Sequence, residues 1–158
     1  MATNFERMIA LVSETFAIQN DPEQLNVNEE VIAQLQQLHP ATLSEHLDGD
    51  GPVVWILLIP TTVTLMHQFI TKEISETELL NKTPLNIKYD ALYLCSASTL
   101  PEFRGKGLTK RIALEAIKNI RAEHPIQYLF FWSFSKEGAG LAESIAKHEQ
   151  LLLLHRVR

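Results

Sequence analysis

Apolar residues recur at helical spacing near the start of the chain. Three- and four-residue intervals separate the apolar positions of this stripe, which are Phe5, Ile9, Val12 and Phe16. Such spacing is typical of an amphipathic helix. Thr3 and Glu6 form a capping box just before it, which indicates where the helix begins. We therefore predict a first helix over about the first twenty residues.

A second helical pattern follows and ends at a turn. Asp21 and Pro22 suit the N-cap and first helical positions, and an apolar stripe follows at Val31, Leu35 and Leu38. The segment LDGDGP at 47–52 predicts a turn. We therefore expect residues 1–50 to be helical up to this turn, which is too short to be a linker between domains.

After this turn, continuous apolar runs alternate with helical patterns. VVWILLI at 53–59, ALYLCSAS at 91–98 and IQYLFFWSF at 126–134 predict buried strands, and LLLLHRV predicts a terminal strand. Helices are predicted between them at 61–73, at 75–82 with a Ser75/Glu78 capping box, from near Gly107, and at 140–149. This order predicts an α/β fold whose sheet is partly parallel in its second half.

Composition narrows the class of protein. The chain has 158 residues, 46% of them apolar, which suits one globular domain over 1–158. Its net charge of −5 argues against nucleic acid as a partner and gives no reason to expect a membrane surface. The single cysteine, Cys95, rules out an intrachain disulfide and a Cys-rich zinc site, and we predict no metal. The first residues do not form a signal peptide, so we expect a cytoplasmic protein.

The segment PEFRGKGLTKRI at 101–112 carries the clearest chemical signal. A strand runs into it and a helix runs out, with Gly105 and Gly107 between them. Glycine lets an anion approach the backbone, and the start of a helix offers free N–H groups and a positive dipole end. Four basic side chains surround the glycines, namely Arg104, Lys106, Lys110 and Arg111. The segment therefore predicts a phosphate-binding loop.

Two common phosphate loops do not fit this segment. A Walker-type loop needs four residues between its first glycine and Gly-Lys-Ser/Thr, and no such spacing occurs. A dinucleotide fingerprint needs a third glycine where this chain has Lys110.

The loop instead resembles the acyl-CoA-binding signature of the GNAT superfamily of N-acetyltransferases. That signature is Gln/Arg-x-x-Gly-x-Gly/Ala, commonly preceded by Pro-Glu-aromatic. Arg104 and Gly107 match it, Pro101–Glu102–Phe103 matches the lead-in, and Thr109 stands where glycine or alanine is expected. The resemblance covers residues 91–154 and implies a mixed sheet of about four to six strands flanked by helices.

The resemblance also implies a ligand and the residues that hold it. Acetyl-CoA is the expected co-substrate, and its pyrophosphate would meet the backbone of the loop residues Arg104, Gly105, Lys106, Gly107, Leu108 and Thr109. The pantetheine arm would pair with the strand edge at Ser98, Thr99 and Leu100. In the family, this strand splays from the next one and the thioester lies in the gap, which here implies that Trp132 and Ser133 are near the acyl group.

Catalytic groups are harder to predict from this chain. The Tyr that often serves the family as proton donor is replaced at the best-matching position by Ala146, and Gln150-Leu151 replaces the usual Gly-Phe. Ser144 and His148 share a helix face and are the candidate donors. Asp90 is the first candidate base, and Tyr93 and His67 are further candidates for that role.

Three functions remain open from the sequence. The first is an acyl-CoA-dependent N-acyltransferase in which a small-molecule or peptide amine attacks acetyl-CoA directly, with the helical first third on the acceptor side. The second is a catalytically degenerate CoA-binding regulatory or structural module, suggested by the missing Tyr and Gly-Phe. The third is an unrelated α/β protein whose basic loop binds another phosphorylated ligand or none. Because 61–82 predicts helices where the family has a β-hairpin, we also expect a sheet short of one strand.

Overall fold

The computed structural model describes residues 1–132 and 134–157 and has an α/β fold. Its sheet has five strands in the order β1-β2-β3-β4-β5, so neighbours along the chain are also neighbours in the sheet. The first three strands are antiparallel, whereas β3, β4 and β5 run parallel. The predicted mixed sheet flanked by helices is therefore confirmed.

Six helices and five strands make up the described chain. The helices are α1 (Asn4–Gln19), α2 (Glu29–Leu38), α3 (Val63–Ile70), α4 (Glu76–Lys82), α5 (Leu108–Arg121) and α6 (Lys136–Glu149). The strands are β1 (Leu43–Asp48), β2 (Gly51–Thr61), β3 (Ala91–Thr99), β4 (Tyr128–Phe131) and β5 (Leu152–His155). Short 3₁₀ turns occupy Pro40–Thr42 and Pro101–Phe103.

The first helix forms where it is predicted, but its apolar stripe is not core. The Thr3 hydroxyl accepts a hydrogen bond from the N–H of Glu6 and caps α1. Phe5 is 54% exposed and Ile9 46% exposed, whereas Met8 is fully buried. The helix therefore presents Met8 to the core, because periodicity predicts a helix without fixing which apolar side chains become covered.

The second helix starts later than predicted. Asp21 accepts a hydrogen bond from the N–H of Glu23 in a turn, and α2 begins only at Glu29, after an N-cap at Asn28. The predicted stripe of Val31, Leu35 and Leu38 is buried.

Residues 1–50 are not helical throughout, and the sheet is not short of a hairpin. Leu43–Asp48 forms β1, which pairs with β2 across the predicted turn, so a hairpin does precede β3. The polar sequence LSEHLD of this edge strand lacks an apolar run, which is why the pattern missed it. Pro60 lies inside β2, beyond Leu57, the last residue of β2 that pairs with β1, where its missing N–H is tolerated.

A buried arginine that follows β5 joins the segment between α1 and α2 to the end of α3. Arg156 is 1% exposed and donates hydrogen bonds to the carbonyl oxygens of Phe69 and Ile74, at 3.3 and 2.7 Å. Its guanidinium also pairs with Glu23 at 2.8 Å and lies 4.5 Å from the ring centres of Phe69 and Trp132. A buried charge is tolerated only when it is paired and hydrogen-bonded in this way.

We expect Arg156→Ala to lower the free energy of unfolding by about 3 kcal/mol, since it removes a buried guanidinium that pairs with Glu23 and takes its donor away from the carbonyl of Ile74. Urea unfolding at neutral pH measures this loss. The matched control is Arg121→Ala, which removes a guanidinium that is 36% exposed and pairs with Glu149, and it is expected to cost under about 1 kcal/mol. Equal losses for the two variants would contradict the structural role given to Arg156.

Candidate functional site

Both glycines of the 101–112 segment are required by backbone conformation. Gly105 has φ +76° and Gly107 has φ +74°, in the left-handed region that other residues rarely adopt. A Cβ atom at either position would meet no atom within 4 Å. The glycines therefore shape an open loop, and the space above them is free for a ligand.

The loop leads directly into the start of α5. Gly107 is the N-cap, and no side chain caps the helix. The first-turn N–H groups of a helix have no partner within it, and the dipole adds positive charge there. Lys110 and Arg111 lie in this first turn, and the first turn of α5 contains no acidic residue. The arrangement suits an anion.

Side-chain hydrogen bonds tie the loop to the end of β3. The Nε–H of Arg104 donates to the carbonyl oxygen of Thr99 at 2.9 Å. The hydroxyls of Thr99 and Thr109 are 2.5 Å apart. Thr109, the irregular position of the predicted signature, therefore directs its hydroxyl to β3. The hydrogen bond to Thr99 fixes the orientation of its branched side chain.

Helix α1 is fastened to the same loop. Arg7 makes two hydrogen bonds of 2.8 Å to the carboxylate of Glu102, one from each terminal nitrogen. These bonds lower the pKa of Glu102 to about 2. The nearby charge of Lys106 contributes in the same direction, and its ammonium lies 5.9 Å from the ring centre of Phe103. The lead-in residues of the loop are thus held by the N-terminal helix.

The sheet opens beside the loop. Pairing between β3 and β4 runs from Ala91 opposite Tyr128 to Leu94 opposite Phe131. From Ser96 to Thr99, β3 pairs only with β2 among the described residues. Ser96 and Ala97 are exposed and Ser98 is half-buried. A free strand edge therefore leads to the glycine loop, and an extended ligand can pair with such an edge.

A buried carboxylate lies below the point where the strands part. Glu76 is 6% exposed, and one of its oxygens accepts hydrogen bonds from the Tyr93 hydroxyl at 2.5 Å and the Cys95 thiol at 3.6 Å. Its other oxygen accepts from the N–H of Leu25 at 2.7 Å. Burial raises the pKa of Glu76, against the opposing effect of these hydrogen bonds. Sequence reasoning missed Glu76, because its position in a capping-box helix looks like an ordinary surface site.

Trp132 follows the last paired residue of β4. It is 5% exposed and packs against Phe69 and Phe134, with ring centres 6.0 and 4.7 Å away. Among the described atoms, its indole N–H and the Nε–H of Arg156 are buried donors with no hydrogen-bond partner. Ser133, which the sequence also predicted near the acyl group, lies outside the described residues.

The predicted catalytic residues do not lie together at the loop. Asp90 precedes β3, at the opposite end of a strand about 30 Å long, and its carboxylate accepts from the N–H of Val63 at the start of α3. His148 is exposed near the end of α6 and contacts Glu149, which pairs with Arg121 at the end of α5. Ser144 is half-buried one turn earlier. The geometry gives these three roles no support, and they stay predictions.

Tyr93 and His67 were the two further candidates for the general base. Packing argues against Tyr93 in that role, and position argues against His67. Tyr93 is fully buried in the sheet, and its pKa is raised well above the ordinary value because of burial and the nearby Glu76. His67 lies on α3, away from the loop. A buried tyrosine donating to a carboxylate is a poor base, so Tyr93 serves the Glu76 cluster instead.

A surface depression of about 460 Å³ occurs elsewhere, at the end of the sheet opposite the loop. Its lining includes His39, Lys88, Glu123 and His124. His39 contacts the Glu123 carboxylate, and burial, followed by the charge of His39, lowers the pKa of His124. This depression surrounds the carboxyl end of α5, whose dipole disfavours an anion. It is therefore a weaker candidate for the predicted ligand than the glycine loop.

Comparisons with known proteins give no further guide. No protein-family model matches the chain, and no curated protein or solved structure matches it significantly.

Within residues 1–132 and 134–157, no helix combines the length and apolar character needed to cross a bilayer. The same residues contain no cluster of three or more His, Cys, Asp or Glu side chains suited to a metal ion.

We expect Gly107→Ala to destabilise the protein by about 1–2 kcal/mol, since alanine is strained at positive φ although its methyl group has room. Gly140→Ala is the matched control, because Gly140 lies within α6, also with open space around it, and alanine should stabilise the helix by about 0.5–1 kcal/mol. Urea unfolding measures both. Stabilisation by Gly107→Ala would show that the loop does not need this backbone conformation.

Replacement of Arg7 should raise the pKa of the Glu102 carboxyl group. In Arg7→Gln we expect it to rise from about 2 towards the ordinary value of about 4.3. A lowered carboxyl pKa stabilises the fold above the ordinary value, and this contribution is lost as pH falls towards about 2. Wild type should therefore lose more stability than the variant on acidification. NMR titration of the Glu102 side-chain carboxyl carbon measures this pKa in wild type and in Arg7→Gln. Lys106→Gln should raise the pKa of Glu102 by less than Arg7→Gln does. An unchanged pKa in Arg7→Gln would refute the pairing.

Proposed function

We propose that the protein is an acyl-CoA-dependent N-acyltransferase that uses acetyl-CoA and acts on a small-molecule or peptide amine. The observation that carries this proposal is the continuity of two features. A free edge of β3, from Cys95 to Thr99, runs into an uncapped helix start with two glycines at positive φ. Coenzyme A has the matching order of parts, an extended pantetheine arm followed by a pyrophosphate.

The loop supplies the charge that the pyrophosphate needs. Arg104, Lys106, Lys110 and Arg111 surround it in a chain whose net charge is −5. Such local concentration of positive charge favours an anion at the loop and not elsewhere on an acidic surface. Arg7 neutralises Glu102, the only acidic side chain in the 101–112 segment. The loop therefore presents a more uniform positive potential than its sequence alone indicates.

The proposed reaction requires the thioester of acetyl-CoA to lie in the gap between β3 and β4. The neutral amine attacks the carbonyl carbon, a C–N bond forms, and the carbonyl electrons move to oxygen. When the oxyanion collapses, the C–S bond breaks and CoA leaves as a thiolate. The nitrogen loses a proton to water, and the thiolate takes one from water. A backbone N–H of β3 near Cys95 would stabilise the oxyanion.

Direct attack is favoured over an acyl-cysteine intermediate. Cys95 lies at the gap and could in principle accept the acetyl group, but only as a thiolate. Burial raises the pKa of this thiol well above its ordinary value, and the adjacent Glu76 carboxylate acts in the same direction. Its proton is also directed at Glu76. The amine therefore has no cysteine nucleophile to compete with.

A CoA-binding module without catalysis is the second candidate. It is favoured by the positions of Asp90, Ser144 and His148, none of which has a described contact with the glycine loop. In that case the loop and strand edge would bind CoA, and no amine would be acetylated. The two candidates differ only in turnover, so one set of measurements separates them.

Calorimetric titration with acetyl-CoA tests the proposal. We expect a dissociation constant between about 1 μM and 1 mM, the range of most enzyme KM values. The double variant Lys106→Gln/Lys110→Gln should bind about tenfold more weakly, since it removes two charges beside the pyrophosphate. The matched control, Lys118→Gln, changes an exposed lysine in the last turn of the same helix and should bind as wild type does.

Release of free thiol in the presence of a panel of amines then measures turnover. Absence of acetyl-CoA binding at millimolar ligand would refute both candidates. Binding without thiol release across aliphatic, aromatic and peptide amines would favour the non-catalytic module.

A further inference from the structure

Strand β3 carries a β-bulge at the point where it leaves β4. Leu57 and Leu58 are consecutive in β2, yet they lie opposite Ser96 and Leu94, which leaves Cys95 as the extra residue. Pairing with β4 ends at Leu94. A bulge breaks the ladder locally and changes the direction of backbone groups. Both edges of β3 therefore become irregular at the same residue.

Glu76 holds this bulge from the interior of the protein. Tyr93, two residues before Cys95, and Cys95 itself both donate to the same oxygen of Glu76. The other oxygen accepts from the N–H of Leu25, and the N–H of Glu76 donates to the carbonyl of Glu23. One carboxylate thus connects the bulge to the segment between α1 and α2. Tyr93 and Glu76 are both buried, so no solvent competes for these bonds.

An ordinary structural role would explain only part of this arrangement. Fastening the segment near Leu25 requires one carboxylate oxygen, and a neutral amide would serve as well. The second oxygen has two donors, both from β3: Cys95 is the bulge residue itself, and Tyr93 lies two residues before it. Burial raises the pKa of Glu76, and the three donors oppose that rise together with the charge of Arg156. The carboxylate is thus suited to fixing the backbone of the bulge.

We infer that Glu76 is a positioning residue, which holds the bulge so that the backbone N–H of Cys95 or Ser96 donates a hydrogen bond to the thioester oxygen. This inference rests on the proposed function. It adds a distant residue, on a helix inserted between β2 and β3, to the groups on which acyl transfer depends. Glu76 does not touch the acetyl group and takes no proton from the amine.

The single cysteine makes the bulge directly observable by NMR. Labelling with ¹⁵N-cysteine gives one amide signal, from Cys95, and ¹³C-carbonyl cysteine with ¹⁵N-serine selects Ser96, which follows the only cysteine. Spectra are compared with saturating CoA and with saturating acetyl-CoA, which differ by the acetyl group. In wild type we expect acetyl-CoA to move one of these two amide protons further downfield than CoA does, because only acetyl-CoA has the thioester oxygen.

The variant Glu76→Gln should lose this difference while binding CoA within about threefold of wild type by calorimetry. Its side chain can accept from Leu25 or from Tyr93 and Cys95, but not from all three. Glu78→Gln is the matched control on the same helix, because glutamine also suits a capping box, and it should keep the difference. If Glu76→Gln does not fold, Tyr93→Phe removes one donor to the same oxygen and should reduce the difference.

Each outcome of this experiment decides a separate question. If wild type binds neither ligand, the proposed function fails and the inference fails with it. If wild type binds both ligands but neither amide distinguishes them, the thioester oxygen does not meet the bulge, and the inference is overturned while CoA binding stands. If Glu76→Gln keeps the difference seen in wild type, Glu76 is structural only. Loss in Glu76→Gln with retention in Glu78→Gln supports the inference.

Discussion

The fold depends on pairing one buried guanidinium with a carboxylate and two carbonyl oxygens. Arg156 follows the last strand, yet its partners are Glu23 from the segment before α2 and two carbonyl oxygens around the end of α3. Removal of a charge from water is unfavourable unless partners replace the lost hydration. The structure meets this requirement by bringing three separate segments to one place, and the guanidinium also packs against the rings of Phe69 and Trp132, each 4.5 Å away. This position is therefore specified by electrostatics as well as by apolar packing.

The same constraint shapes the candidate cleft. Glu23 pairs with Arg156, and its carbonyl accepts the N–H of Glu76. The segment between α1 and α2 is thereby fixed beside the β3 bulge, where β4 stops pairing. Trp132 lies at the end of β4 and packs against the arginine. One cluster of buried polar and aromatic groups thus sets where the sheet opens, whereas Arg7 and Glu102 fasten the opposite end of the free edge.

The sequence was most informative where structure is specified locally, although Asp21 and Pro22 form a turn and do not start α2. Continuous apolar runs predicted β2, β3 and β5, and capping boxes located the starts of α1 and α4. The glycine loop was found because positive φ and an uncapped helix start leave a signature within a few residues. The edge strand β1 was missed because only its pairing with β2 makes LSEHLD a strand. Glu76 was missed because its burial depends on residues up to 51 positions away.

This difference between local and distant determinants bears on function. The loop needs only backbone conformation and nearby charge, so it can form in many sequences that share a short motif. The bulge needs Glu76, Tyr93 and Leu25 to meet across the fold, and that arrangement has no short sequence pattern. Under the proposed function, ligand binding and acyl transfer would rest on separate parts of the molecule, and a chain could retain the first without the second. Affinity for CoA alone would then be weak evidence of turnover, whereas the environment of the bulge would separate an enzyme from a binding module.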